Sequence, residues 1–448
     1  MTTRRGPAEG LVPWERPEPA ERAFRSPAIE ERIRVAAGRI ADPGLRRLLE
    51  GTLPNTLDTT VIVAGDDATP DTFVVTGDID AMWLRDSTAQ VWPYLASAAE
   101  DQELDRLLRG VIHRQAGQVL LDPYANAFLS DDRDGEWATD ETDMRPGVHE
   151  RKWEPDSLSA FCRLSAGYAR ATASARPFDS TWHGALETAL RTLRTEQRLT
   201  GPTPYRFRRP DGDPLDVVPD GGRGAATRPN GMVHGAFRPS DDRCELPLSV
   251  PTNLALAAAL AAVAPVAAEA GAPASAADAR SLAAEIRAAV ARDGVVDDDG
   301  QPRWAYEIDG RSGQVLMDDA NAPSLLGLPY LGACASDDPH YLATRRWILS
   351  PANPWWFAGA VADGIGSPHT GTGRIWPVAI AIRGLTAGSA EERVAAVRML
   401  GRTHAGTFLA HESFDPDDPT RFSRSWFAWA NSLVGELLER AALEGLLG

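Results

Sequence analysis

The sequence predicts a mostly α-helical protein in which six helical hairpins close into a ring, with short β-hairpins inserted. Three observations carry that reading. Six times, a loop rich in acid, amide and aromatic residues runs into an apolar, helix-forming run, and a more ordinary amphipathic run follows. Measured at Asp86, Asp156, Asn253, Asn321, Trp376 and Asn431, the steps between these junctions are 70, 97, 68, 55 and 55 residues, each long enough for a helix out and a helix back. The junctions are not copies of one motif, so the repetition is architectural. Finally, no Pro/Ser/Gly-rich linker long enough to separate domains interrupts the 448 residues. That leaves a single domain over residues 26–448 behind an arm over 1–25.

The arm is rich in Pro, Arg and Glu and is expected to be extended. Over 29–53, Ile33, Val35, Ala36, Ile40, Leu45, Leu48 and Leu49 recur at helical spacing and predict one or two outer helices. β-Branched runs over 59–64 and 72–76 flank Gly65-Asp66-Asp67 and predict a hairpin. At the first junction, Asp86-Ser87 reads as the N-cap of a helix over 88–96. The second is Trp153-Glu154-Pro155-Asp156-Ser157, running into an apolar helix. The third places Arg238-Pro-Ser-Asp-Asp242 at an expected helix start, then Pro251-Thr-Asn253 ahead of an alanine-rich run over 254–268. That run is too short and too weakly apolar to span a bilayer and reads as a buried helix.

A break over 271–277 precedes a second alanine-rich helix, and 293–308 reads as a small hairpin around Asp297-Asp-Asp-Gly300. The fourth junction is Met317-Asp-Asp-Ala-Asn321 into Leu325-Leu326, and the fifth is His369 to Arg374 into Ile375-Trp376-Pro377. A helix over 390–410 is expected to carry Glu412 at its end. The sixth junction is Ser423-Arg-Ser-Trp-Phe427 into 429–433. Pro93, Pro247, Pro251, Pro323 and Pro377 suit first-turn positions. Gly and Asp dominate 202–228, which reads as a long loop.

Helix N-termini carry unpaired N–H groups and the positive end of the helix dipole, which favour carboxylates. Inner helices starting at one end of a ring would therefore gather the polar loops into one crater. The formal net charge of -17 argues against a nucleic-acid or anionic-membrane partner and fits a neutral substrate. Three scattered cysteines (Cys162, Cys244, Cys334) make no disulfide framework, and the first residues lack the apolar run of a signal peptide. A cytoplasmic location is expected. No metal or cofactor motif survives inspection. His404 and His411 are seven apart, His411-Glu412 lacks a second zincin histidine, and Walker, Gly-x-Ser-x-Gly and calcium-loop patterns are missing.

The chemistry concentrates in a few runs. Residues 76–94 hold Asp78, Asp80, Asp86, Arg85, Trp83, Trp92 and Tyr94. Aromatic faces stack on a sugar's C–H face, and carboxylates and guanidinium bind its hydroxyls. Asp241-Asp242 and Glu412 supply further acids. A carboxyl against an apolar wall holds a proton at neutral pH, while a second carboxylate across a sugar ring can deprotonate water. Those are the two roles of an inverting glycosidase.

Five runs in order resemble glycoside hydrolase family 125: Thr76-Gly-Asp-Ile-Asp-Ala-Met-Trp-Leu-Arg-Asp-Ser87; Phe237-Arg-Pro-Ser-Asp-Asp242; Met317-Asp-Asp-Ala-Asn321 with Leu328-Pro-Tyr330; Gly364-Ile-Gly-Ser-Pro-His-Thr370; and His411-Glu-Ser-Phe414 with Trp426-Phe-Ala-Trp-Ala-Asn431. The resemblance implies an (α/α)6 barrel and a metal-independent, exo-acting, inverting α-mannosidase, typically for α-1,6-linked mannose, with a mannose-containing oligosaccharide as partner. It implies an aspartate of Arg-Pro-Ser-Asp-Asp as general acid, Asp241 or Asp242, with Asp241 favoured by analogy with Asp-Asn-Ser and Asp-Phe-Ser segments of other (α/α)6 glycosidases. It implies Glu412 as general base. On this reading Asp80, Arg85 and Asp86 grip sugar hydroxyls, and Trp83 or Trp356 meets the sugar face. His149, Arg238, Asn321, His369 and Thr370 make further contacts. The segments 131–143 and 202–228 carry no match and are expected at outer subsites. An α-glucosidase of the trehalase or glucosylglycerate type, or a non-catalytic glycan-binding protein, stays open on the residues alone.

Overall fold

The structure, a computed structural model, describes residues 11–297 and 300–448. The expectations for the first ten residues of the arm and for Asp298 and Asp299 lie outside the described residues. Two compact units divide the chain. Unit one comprises the described part of Met1–Asp80 with Asp86–Val111 and Trp355–Gly448; unit two comprises Ala81–Arg85 and Ile112–Pro354. Helices dominate, as the periodicity predicts, and the strands are short.

Unit one is built around the helix Ala428–Leu443. Trp429, Leu433, Val434, Leu437, Leu438 and Ala441 on it are buried. It packs against the helices Pro27–Ala37, Pro43–Thr52, Pro377–Leu385 and Ala390–Thr403. Gly435 lets it approach the chain at Leu53, where an added Cβ would lie 2.5 Å from the Leu53 Cα. The two outer helices predicted over 29–53 are present, with Ser26 and Asp42 capping them and proline in each first turn. Val61–Gly65 pairs antiparallel with Pro70–Val74, the predicted hairpin. The described part of the arm has no helix or strand. It is nonetheless tied down: Arg16 pairs with Glu30 and Asp58, both at 2.7 Å, and Trp14 N donates to Thr407 O at 2.7 Å.

Unit two is built around Val250–Glu269, packed between Pro155–Thr172 and Pro273–Asp293. This helix is long and apolar enough to cross a membrane by length and composition, but 83% of its apolar window is buried inside the protein. Pro155–Thr172 is followed by the amphipathic Ser180–Glu196, the helix out and back read from the second junction. Met82–Trp83, Ala127–Phe128 and Val148–Glu150 form one antiparallel sheet, and Leu248–Ser249, Glu307–Ile308 and Gln314–Val315 another. Val295–Val296 pairs with Arg303–Trp304, as predicted.

Four expectations are corrected. The helix of the first junction begins at Leu84, so Asp86-Ser87 lies inside its first turns rather than capping it. Leu84 N donates to Asn126 O at 3.1 Å, which satisfies a first-turn donor from outside the helix. The α-helix then stops at Val91, because Pro93 has no N–H, and a 3-10 turn Trp92–Ser97 follows. The second correction is at 237–242, which is a tight turn and not a helix start. Phe237 bridges Arg243, Arg238 N donates to Asp242 O at 2.7 Å, Asp241 N to Arg238 O at 2.9 Å, and Asp241 has φ of 65°. Third, Asp318-Asp319-Ala320-Asn321 opens no helix. The Asp318 carboxylate accepts from Leu325 N (2.8 Å) and Leu326 N (3.0 Å), and the chain continues in turns until the helix Pro339–Ile348. Fourth, the helix over 390–410 ends at Thr403. Ala405, Gly406 and Phe408 take left-handed conformations, and the His404 Nδ1 accepts from Gly406 N at 3.1 Å. Glu412 therefore sits just ahead of the strand Ser413–Phe414.

Candidate active site

In unit two, the sheet that carries Trp83 and Glu150 delivers Arg85 and Asn126 to a cluster of acids. The Arg85 guanidinium donates to Glu154 Oε2 at 2.6 Å, Asp156 Oδ2 at 3.1 Å and Asp241 Oδ1 at 3.1 Å. Asn126 Nδ2 lies 3.0 Å from Glu150 Oε2, 3.2 Å from Glu154 Oε1 and 3.4 Å from Asp241 Oδ1. Glu154 and Asp156 are there because Pro155 fixes the first turn of Pro155–Thr172. Arg85, Glu154 and Asp156 are buried; the Asp241 side chain is 25% exposed, and the whole of Asp242 only 2%. Asp241 is thus the member of this cluster that reaches solvent.

Burial pushes the Glu154 carboxyl well above its usual range. The Arg85 charge opposes this, and the Asp241 and Asp156 charges add to it. Burial also raises Asp156, against the pull of Arg85. Burial alone would lower the Lys152 ammonium, but the carboxylates of Glu150, Asp241 and Asp216 outweigh it and raise it. Lys152 Nζ stands 2.8 Å from Asp216 Oδ1 and 3.4 Å from Glu150 Oε1.

The other unit-two candidates are held by neighbours of their own. The Trp83 and His149 rings meet edge to face at 5.4 Å, and burial lowers the His149 imidazole below its ordinary value. Arg238 forms a buried bidentate pair with Glu307, at 2.6 and 3.0 Å, which also accepts from Glu245 N and Leu246 N. Asn321 donates from N and Nδ2 to Asp319 Oδ1, at 3.0 and 2.9 Å.

In unit one, the two-residue ladder Ser413–Phe414 with Phe422–Ser423 builds the surroundings of Glu412. Ser423 Oγ donates to Glu412 Oε2 at 2.8 Å and Arg424 Nη1 to Oε1 at 3.3 Å. Arg424 also holds Asp78, with Nε 3.1 Å from each carboxylate oxygen, and lies 4.8 Å over the Phe427 ring. The neighbouring His411 ring stacks on Phe422 at 3.7 Å, and burial drops it to about 4. Trp376 Nε1 donates to Thr370 Oγ1 at 2.8 Å and its ring lies 6.2 Å from that of His369. Trp356 is half-buried in the strand Trp356–Ala358, with Arg383 5.8 Å from its ring. Asp80 is exposed and Asp86 buried.

The sequence marks Glu154 and Asp156 only as a helix junction and gives no sign of Asn126, nor of Ser423 and Arg424 as partners of Glu412. The signal available was Trp153-Glu154-Pro155-Asp156, two acids in one first turn between apolar runs, which would need a cation if buried. The structure also joins the two unmatched segments. A cleft of about 590 Å3 in unit two is lined by Asp122, Tyr124, Glu141, Thr142, Tyr205 and Arg206, among others. Within this lining Tyr124 stacks on Tyr205 at 5.4 Å, and Arg151 donates to Asp122 at 2.6 Å and Thr142 at 2.8 Å.

Residues 42–439 match the family described as metal-independent α-mannosidase (GH125). The chain is 36% identical to the meiotically up-regulated gene 157 protein of Schizosaccharomyces pombe, over 97% of this chain and 90% of that protein. It superposes on a metal-independent α-mannosidase from Streptococcus pneumoniae, solved in a non-productive complex with α-1,6-mannobiose, with a TM-score of 0.90 and 38% identity. That match covers 94% of this chain and 99% of the other. A bacterial glucoamylase complexed with acarbose shares the fold at a TM-score of 0.51 and 14% identity, over 82% of this chain and 50% of that one.

Proposed function

The chain belongs to the metal-independent α-mannosidases of glycoside hydrolase family 125, and from that premise we propose an exo-acting enzyme that removes terminal non-reducing α-1,6-linked mannose with inversion. Glycoside hydrolysis and α-mannoside specificity come with the family. The 1,6 linkage is supported by the mannobiose bound to the Streptococcus pneumoniae protein. The (α/α)6 barrel is our reading of the fold, supported by the paired helices within each unit and by the likeness to that enzyme.

The observation that carries the mechanism is the environment of Asp241. Asp241 is held by Arg85 and Asn126, beside two buried carboxyls, and keeps a quarter of its side chain exposed. Asp242 is buried at 2%. An acid must touch the glycosidic oxygen, so we assign the proton donor to Asp241 over Asp242. Glu412 takes the proton of the attacking water, and its other contacts, Ser423 and Arg424, are donors that fix the carboxylate in one orientation. Such pre-oriented acid–base groups each contribute roughly 10²–10⁴-fold to rate. Trp83, Trp356, Asp80, Asp86, His149, Asn321, His369 and Thr370 are proposed sugar contacts. Arg85 and Arg238, each engaged by buried acids, are proposed to hold the acids in place. The cleft joining 131–143 to 202–228 is proposed to take outer sugars; its volume falls in the range of about 300–1,000 Å3 usual for ligand sites. The three free cysteines support a reducing, cytoplasmic setting.

Proton NMR of α-1,6-mannobiose with the protein and EDTA tests the proposal. Early β-mannose is the expected product. Early α-mannose would mean retention, and no cleavage would overturn the substrate assignment.

A further inference from the structure

Glu154 is fully buried, belongs to no role assigned above, and meets the same two donors as Asp241. We infer that Glu154 and Asp241 share one proton, and that Glu154 is the positioning residue that keeps Asp241 protonated when substrate arrives. This rests on Asp241 being the general acid.

Arg85 reaches Glu154 through Nη1 at 2.6 Å and Asp241 through Nη2 at 3.1 Å. Asn126 Nδ2 bridges the same pair at 3.2 and 3.4 Å. Shared donors bring the two carboxyl groups together, and the Asp241 charge adds to the burial that raises Glu154. Two ionised carboxylates have only acceptors, so neither can stabilise the other until one of them holds a proton. The charge count agrees. Glu154, Asp156 and Asp241 crowd one guanidinium, and the nearby Lys152, which also feels the Asp241 charge, is shared with Asp216 and Glu150. Like charges that close cannot all ionise, and the proton they retain belongs to the pair rather than to either residue. Glu150 shares the Asn126 donor with the pair, at 3.0 Å, and Tyr205 and Cys244, which also face Glu154, are both raised first by burial and so kept neutral.

The proton leaves through Asp241, the solvent-reaching member, to the glycosidic oxygen as the C–O bond breaks. The attacking water gives its proton to Glu412, and the pair takes a proton back after product departs. Glu154 never touches the sugar in this scheme. Its charge sets the pH at which Asp241 lets go.

The test is the pH dependence of kcat/KM for Glu154→Gln on two substrates, α-1,6-mannobiose and α-mannosyl fluoride, whose leaving group needs no proton. Glutamine keeps the shape and removes the charge, so the Arg85 guanidinium acts more strongly on Asp241. The alkaline limb on mannobiose should move to lower pH by about one unit or more, while fluoride hydrolysis stays near wild type. An unmoved limb, or equal loss on both substrates, makes Glu154 merely structural and overturns the inference. Asp241→Asn is run alongside. It should lose far more on mannobiose than on fluoride; equal loss on both, or no loss, would sink the acid assignment itself and the inference with it. If E154Q does not fold, Glu154→Asp draws the carboxyl back from Asp241 and should also lower the limb, and an unmoved limb there counts equally against sharing.

Discussion

Ser423, paired with Ser413 across a ladder of two residues, donates its hydroxyl to Glu412 Oε2 at 2.8 Å. The bond orients the carboxylate that we assign as base. Glu412→Gln should fold normally and lose roughly 10²–10⁴-fold in kcat on α-1,6-mannobiose. Ser423→Ala removes one hydrogen bond to a charged group, about 1.5–3 kcal/mol, and should cost kcat more than KM. Near wild-type turnover by E412Q would refute the base assignment.

We propose that Arg238 is an anchor rather than a sugar contact. Its bidentate pair with Glu307 is buried on both sides. Arg238→Ala leaves that carboxylate uncompensated and should lower stability by about 3–5 kcal/mol, read as a drop in the denaturation midpoint. If the midpoint holds and KM rises instead, the arginine touches substrate.

Asp318 makes stability depend on pH in the opposite sense to a surface carboxylate. Burial raises it from 3.8 to about 8, although Leu325 N and Leu326 N pull the other way. Between those values the folded state holds a proton that the unfolded chain has released, so stability falls as pH rises. Melting temperature should decline from about pH 4 towards pH 8, and Asp318→Asn should flatten that decline. An identical slope in the variant would count against it.

Arg206 lines the cleft of unit two and is exposed. If the cleft takes outer sugars, Arg206→Ala should raise KM several-fold for a mannose oligosaccharide while an aryl α-mannoside is unaffected. Equal effects on both, or none, would remove the cleft from the binding surface.

Local pattern explains what could be read in advance. The paired helices over 29–53, the hairpin from Val61 to Val74 and the buried run after Val250 follow from spacing alone. Two of the errors come from a donor satisfied outside its own helix or turn. The helix at Leu84 hands its first N–H to Asn126 O. The turn after Asn321 needs no helix because Asp318 collects two N–H groups. The same distance hid the acid cluster. Arg85 and Asp241 were named separately, yet they lie 156 residues apart, and Glu154 lies 69 from Arg85. No window of sequence holds such a meeting.

The φ of 65° at Asp241 also decides which residues that position tolerates. Left-handed backbone is comfortable for glycine, asparagine and aspartate and costs other side chains about 1–2 kcal/mol. Glutamate, the usual exchange for an acid, would therefore lose twice, once in backbone and once in reach. Asparagine removes the charge and leaves the turn undisturbed. The geometry thus accounts for the choice of the shorter acid, and it makes D241N a cleaner probe than D241A or D241E, whose losses would mix chemistry with a refolded loop.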